Sequence, residues 1–340
     1  MLHLTYFSMK ALCLGLGAAT NSCSIPFTST SLAHSGTGPP SSLHRLSRKA
    51  GDNLRVSRPY FDPSFSDLST PQERTHKVKR LAHNSDVFHL KGFLTEWECQ
   101  AIMHEAKYNY KTGMTKALSN SEDPRDRTNC KVAWLGDSRI GGICGMIGNA
   151  VEDTFVTNEA RMSMNPMRSD LQVLNYQEGG GFVLHHDSHD RIVTVITFLN
   201  GVGETWLPLV DVDGGNNGIF PKHSYEQDQN LESLEEATDM VSDYGLKPGA
   251  SGILLSGNVR DDNHSDRVRD KQCFRKGRLG SNNQHVVYMD PGDAVAFYSY
   301  GANGKKDFQS IHAGIPLDFK GKEGKWIATS WFHAPSLIIA

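Results

Sequence analysis

The chain has 340 residues, with 35 Lys and Arg against 38 Asp and Glu and a formal net charge of −3. At 38% hydrophobic residues it can build a packed core, which excludes wholesale disorder. The near-balanced charge argues against a nucleic-acid binder working through a basic field, and six cysteines without a CxxC pair give neither a zinc-ribbon nor a thioredoxin-like signature.

The first 51 residues hold no Asp or Glu and 14 Ser or Thr. Within them, Met9-Lys10 precedes the apolar run from Ala11 to Ala19, followed by small and polar residues. That is the layout of a signal peptide, and the run is too short for a bilayer, which needs about 20 residues. From Ser41 to Arg58 the chain turns basic, as a transit peptide does. Residues 1–84 are therefore expected to be a targeting leader and flexible linker without a transmembrane span. The expected destination is the secretory pathway and endoplasmic reticulum, with plastid or mitochondrion as alternatives.

Folded structure is expected from near Val87. Thr95-Glu96-Trp97-Glu98 reads as a capping box, opening a helix with Cys99, Ile102, Met103 and Ala106 on one side. A second helical pattern runs from about Ile140 to Phe155, interrupted by four glycines. After Leu171 the pattern changes to short β-rich runs at 171–176, 191–199, 252–256, 285–289, 294–300 and 325–333. Pro291-Gly292-Asp293 marks a turn between two of them. Residues 209–284 read as a polar insertion, acidic in its first half and basic in its second, with one amphipathic helix around Leu231 to Tyr244. A surface insertion and a lid over a cleft both fit it. Helices first and strands afterwards predict an α+β fold, a jelly roll (double-stranded β-helix) buttressed by N-terminal helices, in one domain over 85–335.

The chemistry centres on His-x-Asp, which places two metal ligands on one face of a strand. A third His from a distant strand would complete a 2-His-1-carboxylate face, leaving open positions on Fe(II). The chain contains two such pairs. His264-Ser265-Asp266 sits in a wholly polar stretch and reads as a solvated loop. His185-His186-Asp187 follows a β-rich run and precedes the apolar run Ile192 to Leu199, which offers rigid support. His186 itself, on the opposite face, reads as a packed or surface residue, and His189 as a non-ligand.

The residues around the first pair carry a resemblance. Asp170-Leu-Gln-Val-Leu-Asn-Tyr176, Gly179-Gly-Gly-Phe182-Val-Leu-His185-His-Asp187, the run from Arg191 to Leu199, and Gly203-Glu-Thr205 follow in order. Gly292-Asp293, Ser310-Ile-His312-Ala-Gly and Gly324-Lys325-Trp326 to Trp331-Phe-His333 continue it, while Gly92-Phe-Leu94 and Arg127-Thr128 match upstream. Over residues 85–335 this series resembles the prolyl 4-hydroxylases, which are 2-oxoglutarate- and Fe(II)-dependent dioxygenases.

The resemblance implies that His185, Asp187 and His312 hold the iron and that Lys325 pairs with the distal carboxylate of 2-oxoglutarate. Tyr176 and Thr205 would hydrogen-bond that carboxylate; Arg191 and Trp331, with His333, would lie near the peptide. Molecular oxygen, 2-oxoglutarate, Fe(II) and ascorbate (vitamin C) are the implied co-substrates and cofactors, and a proline-containing peptide the implied partner. Two departures stand out. Lys325 lies thirteen positions after His312, leaving Lys320 and Lys322 as rival anchors that Trp326 disfavours. The long 209–284 insertion leaves the acceptor open between proline, another side chain and a small molecule. A non-catalytic binding module on the same fold is the remaining alternative.

Overall fold

The computed structural model of the chain describes residues 55–60, 72–82, 85–108, 115–116, 127–136, 143–155, 167–187, 191–210, 252–257, 285–300, 306–316 and 323–333. The residues up to 51 read as part of a targeting leader, the amphipathic helix expected near Leu231 and the pair His264/Asp266 lie outside them. The first elements in chain order are β1 (Arg55–Tyr60), β2 (Gln72–Arg80), β3 (Val87–Leu90), α1 (Glu96–Tyr108), β4 (Thr115–Lys116), β5 (Cys130–Leu135) and α2 (Ile143–Phe155). Then come β6 (Met167–Arg168), β7 (Leu171–Tyr176), β8 (Phe182–His185), β9 (Arg191–Phe198), β10 (Glu204–Leu207) and β11 (Ile253–Gly257). The chain closes with β12 (His285–Met289), β13 (Ala294–Tyr298), β14 (His312–Ile315) and β15 (Lys325–His333). The described chain is mostly sheet with few helices. No described helix is long and apolar enough to cross a membrane.

The ends of α1 follow from local chemistry. Thr95 Oγ1 accepts the backbone N–H of Glu98 at 3.2 Å, and the Glu98 carboxylate accepts the backbone N–H of Thr95 at 2.8 Å. This reciprocal pair satisfies two backbone donors that the first turn leaves orphaned. One stripe of the helix, Cys99, Ile102 and Ala106, is fully buried. The turn expected at Pro291-Gly292-Asp293 is present between β12 and β13. Gly292 has φ +87°, and a Cβ there would lie 2.2 Å from the Leu94 carbonyl oxygen, so only glycine fits. Asp293 ties the turn together by accepting the N–H groups of Gly92 at 2.6 Å and Asp290 at 3.1 Å.

Two sheets carry the fold. The larger runs β1-β2-β3-β13-β9-β15-β7-β5-β4, with β6 against the end of β15; the smaller runs β12-β11-β10-β14-β8. Because side chains alternate along a strand, each strand of the large sheet divides its residues between two cores. Trp326, Ala328 and Phe332 of β15, Leu171 and Val173 of β7, and Ala133 and Leu135 of β5 join the core shared with α1 and α2. Ile327, Leu174, Tyr176 and Cys130 face the other way and pack with Leu207, Ile253 and Leu255 of the small sheet. That shared cluster makes the two sheets a sandwich. A third cluster, including Trp206, Leu254, Ile311 and Ala313, covers the far side of the small sheet.

The folded region begins earlier than the boundary read from sequence. Residues 72–80, assigned to the linker, form β2, which pairs with β3 through Val78↔Leu90 and Arg80↔Phe88. The segment QERTHKVKR looks solvated because its charges dominate, yet His76 and Val78 are buried while Thr75 and Lys77 are exposed. The period-two pattern of a half-buried strand is present in only two residues.

Candidate metal centre

Register between β5, β7, β15 and β9 lays the inner face of the large sheet out in cross-strand rows. Cys130, Tyr176 and Lys325 form the first row; Val132, Leu174, Ile327 and Phe198 the second. Trp134, Gln172, Thr329 and Ile196 form the third, and Trp331 lies opposite Thr194 in the next. The small sheet contributes two facing rows. Thr205 is paired to Gly314 and Gly314 to Phe182, while His312 is paired to His185. A register shift between His312 and Gly314 sets two residues of β8, Val183 and Leu184, against one of β14, Ala313. That bulge explains how Phe182 and His185, an odd spacing apart, both reach the cavity between the sheets.

His185, Asp187 and His312 converge there, with one ligand atom from each lying within 4.8 Å of the others. His185 is the last residue of β8, and Asp187 lies just beyond it rather than on the strand. His185 Nε2 is 3.8 Å from Asp187 Oδ1, and His312 Nε2 is 3.9 Å from Oδ2. These gaps are too long for hydrogen bonds but within the about 4.2 Å that two atoms bound to one ion at ordinary distances can span. Each imidazole is anchored through its other nitrogen. His185 Nδ1 donates to the Val183 carbonyl at 2.8 Å, and His312 Nδ1 to the Ser310 carbonyl at 3.1 Å. Both rings therefore turn a bare Nε2 lone pair toward Asp187, the arrangement a metal requires.

Charge states agree with this. Burial holds both imidazoles below their usual pKa, so they are neutral at physiological pH. Burial alone would push the Asp187 carboxyl up, but His312, His185, Arg191 and the Thr194 hydroxyl together hold it well below the carboxylate range. Asp187 Oδ2 accepts from Thr194 Oγ1 at 2.8 Å and from Trp331 Nε1 at 3.2 Å, and Oδ1 accepts from Arg191 at 3.1 Å. Two neutral nitrogens and an anionic oxygen, fixed by their neighbours, fit Fe(II) or a similar divalent ion.

At the other end of the same cavity sits Lys325, 1% exposed. Its Nζ donates to the Glu204 carbonyl at 2.6 Å and to Thr205 Oγ1 at 3.1 Å. The rings of Tyr176 and Phe198 each lie 5.7 Å away. Burial pushes the ammonium pKa down to about 8, with Glu204 and Cys130 acting the other way. A buried ammonium that donates to a carbonyl and a hydroxyl is suited to receive a carboxylate.

No family model matches the chain. Among curated proteins, Prolyl 4-hydroxylase 2 of Arabidopsis thaliana is 25% identical over 264 residues, covering 76% of this chain and 71% of that protein. Prolyl 4-hydroxylase 13 of the same plant is 24% identical over 264 residues, covering 74% and 73%. The chain is related to the prolyl 4-hydroxylases. Among solved structures, the 2OG complex of the viral collagen prolyl hydroxylase from Paramecium Bursaria Chlorella virus-1 is 16% identical with a TM-score of 0.40, covering 73% of this chain and 96% of that one.

Set beside the prolyl 4-hydroxylase resemblance, the sequence-read residues fall in two groups. His185, Asp187, His312, Lys325, Tyr176 and Thr205 all line one cavity. Arg191 and Trp331, expected near the peptide, hydrogen-bond Asp187; Trp331 lines the same cavity, and the Arg191 guanidinium lies 4.2 Å over its ring. His333 is the last residue of β15, opposite Arg191. His186 is packed against Phe308, with Nε2 at 3.0 Å from the Ser299 carbonyl. His189, Lys320 and Lys322 lie outside the described residues. Cys99, Cys130 and Cys144 stand as thiols, and Cys273 lies outside.

Three cavity-shaping residues were given no role from sequence. Arg127 was quoted only for its dipeptide; it lines the cavity with its guanidinium 4.5 Å over the Phe182 ring. Its strand entry is pinned by Asn129, at φ +41°, whose side chain donates to the Glu178 carbonyl at 2.7 Å. Thr194 is a further donor to Asp187, one of two threonines on an otherwise apolar run after Arg191. Gly203 is the third. At φ +81° a Cβ there would meet the Lys325 stem at 2.6 Å. Gly203→Ala is expected to displace the lysine and raise the KM for 2-oxoglutarate on the order of tenfold, leaving metal affinity unchanged; titration of each ligand separately checks this.

Proposed function

We propose that the chain is an Fe(II)- and 2-oxoglutarate-dependent dioxygenase that 4-hydroxylates proline in a peptide, using a jelly-roll domain buttressed by α1 and α2. One observation carries the reading: a neutral His pair with an anionic Asp shares its cavity with a buried lysine whose ammonium donates to a backbone carbonyl and a threonine hydroxyl. Relatives named prolyl 4-hydroxylases support the choice of acceptor.

His185, Asp187 and His312 would hold the iron, which supplies the activation of molecular oxygen. Lys325, with the Thr205 hydroxyl that accepts from it and Tyr176 lining the same cavity, would bind the distal carboxylate of 2-oxoglutarate. Gly314, level with Thr205, and His312 are two residues apart on β14, about 6.6 Å. A five-carbon diacid spans such a distance, so one molecule can reach both ends. Leu174, Ile196 and Ile327 give the cavity an apolar wall that keeps competing water out. Trp331 and Thr194 hold Asp187 at one orientation throughout. The balanced reaction consumes 2-oxoglutarate, oxygen and peptidyl proline and yields succinate, carbon dioxide and hydroxyproline. Ascorbate would keep the iron reduced between uncoupled cycles.

The test is succinate release with Fe(II), oxygen and ascorbate, with and without a proline-rich peptide, followed by mass spectrometry of the peptide. Stimulated release with one oxygen added at proline is expected. Oxygen on a different acceptor, or no turnover at all, would overturn the assignment.

A further inference from the structure

The third cross-strand row ends in two residues that no step above uses. Trp134 is 41% exposed, although it belongs to the cavity-facing set of β5, and its ring centroid lies 5.9 Å from that of Trp331. Trp331 is itself 2% exposed, lines the cavity and donates to Asp187. Trp134 in this row thus touches Trp331 in the next, and through Trp331 the open indole is linked to the candidate ligand Asp187. Between Trp134 and Thr329 in the same row lies Gln172, which is 5% exposed. Among the described residues no donor reaches its side-chain oxygen. A buried acceptor lacking a donor is unfavourable to the protein alone, and the open ring of Trp134 lies beside it in the row. The pair is complementary to an extended peptide, which offers rings and backbone N–H groups at regular intervals. Aromatic surfaces are also how proline-rich helices are recognised, because the stiff peptide loses little entropy on binding.

We propose that Trp134 and Gln172 form the peptide-positioning subsite: the indole stacks a proline ring, and the Gln172 carboxamide turns outward on binding so that its oxygen accepts a backbone N–H from a neighbouring non-proline residue. The subsite rests on the peptide-hydroxylase reading given above, and it concerns positioning rather than chemistry.

Two fluorescently labelled peptides separate its parts, one of alternating proline and alanine and one of poly-L-proline, which has no internal N–H to give. Binding is measured by anisotropy on the full chain supplied with Mn(II) and 2-oxoglutarate, so that no turnover is needed. Trp134→Ala is expected to weaken both peptides roughly tenfold, and Trp134→Phe to restore most of the loss. Gln172→Met is expected to weaken only the proline–alanine peptide, while its melting temperature stays level or rises because an unpaired buried carbonyl is gone. In turnover, Trp134→Ala should raise the KM for peptide and leave peptide-free 2-oxoglutarate consumption unchanged. Equal binding by wild type and Trp134→Ala, absence of peptide binding by the wild type, or equal loss of both peptides in Gln172→Met would overturn the subsite. Peptide binding without any 2-oxoglutarate turnover would instead sink the reaction while leaving the subsite standing.

Discussion

Replacing His312 by alanine is expected to abolish succinate release and to lower affinity for Mn(II) or Co(II), used in place of Fe(II), by more than about 100-fold. The bound comes from comparison: residues that merely orient a metal ligand change metal affinity about 10–100-fold when lost, so a direct ligand must exceed that. His312 is set up for the ligand role in three ways. Its Nδ1 is spent on the Ser310 carbonyl, its Nε2 points to Asp187, and burial keeps it neutral. The alanine variant should still fold, because β14 keeps its pairing to β10 through Gly314 and Ala313. Two companions calibrate the result. Thr194→Val removes one hydrogen bond to Asp187 and should weaken metal binding within the 10–100-fold range. His186→Ala, next to a ligand but facing Phe308, should weaken it less than His312→Ala does. Anaerobic titration by calorimetry reads all three. Wild-type metal affinity in His312→Ala would remove the centre from the cavity.

How much of this was legible in the sequence depended on strand length and on chemistry hidden by neighbours. β7, β9 and β15 are apolar runs of six to nine residues, so their bounds were readable within a residue or so. β8, β10 and β14 have four residues each, too few to show a period, and they carry Thr205, His185 and His312. The residues that matter most therefore stood on the least legible elements, and only their order along the chain pointed to them. The bulge in β8 breaks the alternation that pattern reading relies on. Trp134 and Gln172 were silent for another reason. A tryptophan and a glutamine on strands read as ordinary packing until register sets them in one row with Trp331 beyond. Arg191 shows the converse, since its place in the order suggested peptide contact and gave no sign of its ion pair with Asp187.

Lys325 is expected to make 2-oxoglutarate binding fall steeply in alkaline solution. In the free protein burial lowers its pKa from 10.5 to about 8. A bound carboxylate favours the ammonium and raises that value again. Above about pH 8, binding must then take up a proton, so the apparent Kd rises on the order of tenfold per pH unit until the ordinary lysine range is reached. Below pH 8 the lysine is already charged and the dependence from this group vanishes. Stability of the free protein runs the opposite way. Between about pH 8 and 10.5 the unfolded chain binds the extra proton, so this residue's contribution favours folding more as pH rises through that window. A ligand that weakens while the melting temperature gains from the same group is hard to produce by general alkaline damage. Lys325→Met removes the charge and should cost about 2–5 kcal/mol of 2-oxoglutarate binding, with the alkaline loss of affinity gone. Lys325→Arg keeps a charge that does not titrate in this range. It should bind less well, because the larger head must fit between Thr205 and Tyr176, but with a flat pH profile. If wild type and Lys325→Met lose affinity in parallel above pH 8, the titrating group lies elsewhere and Lys325 is not the anchor.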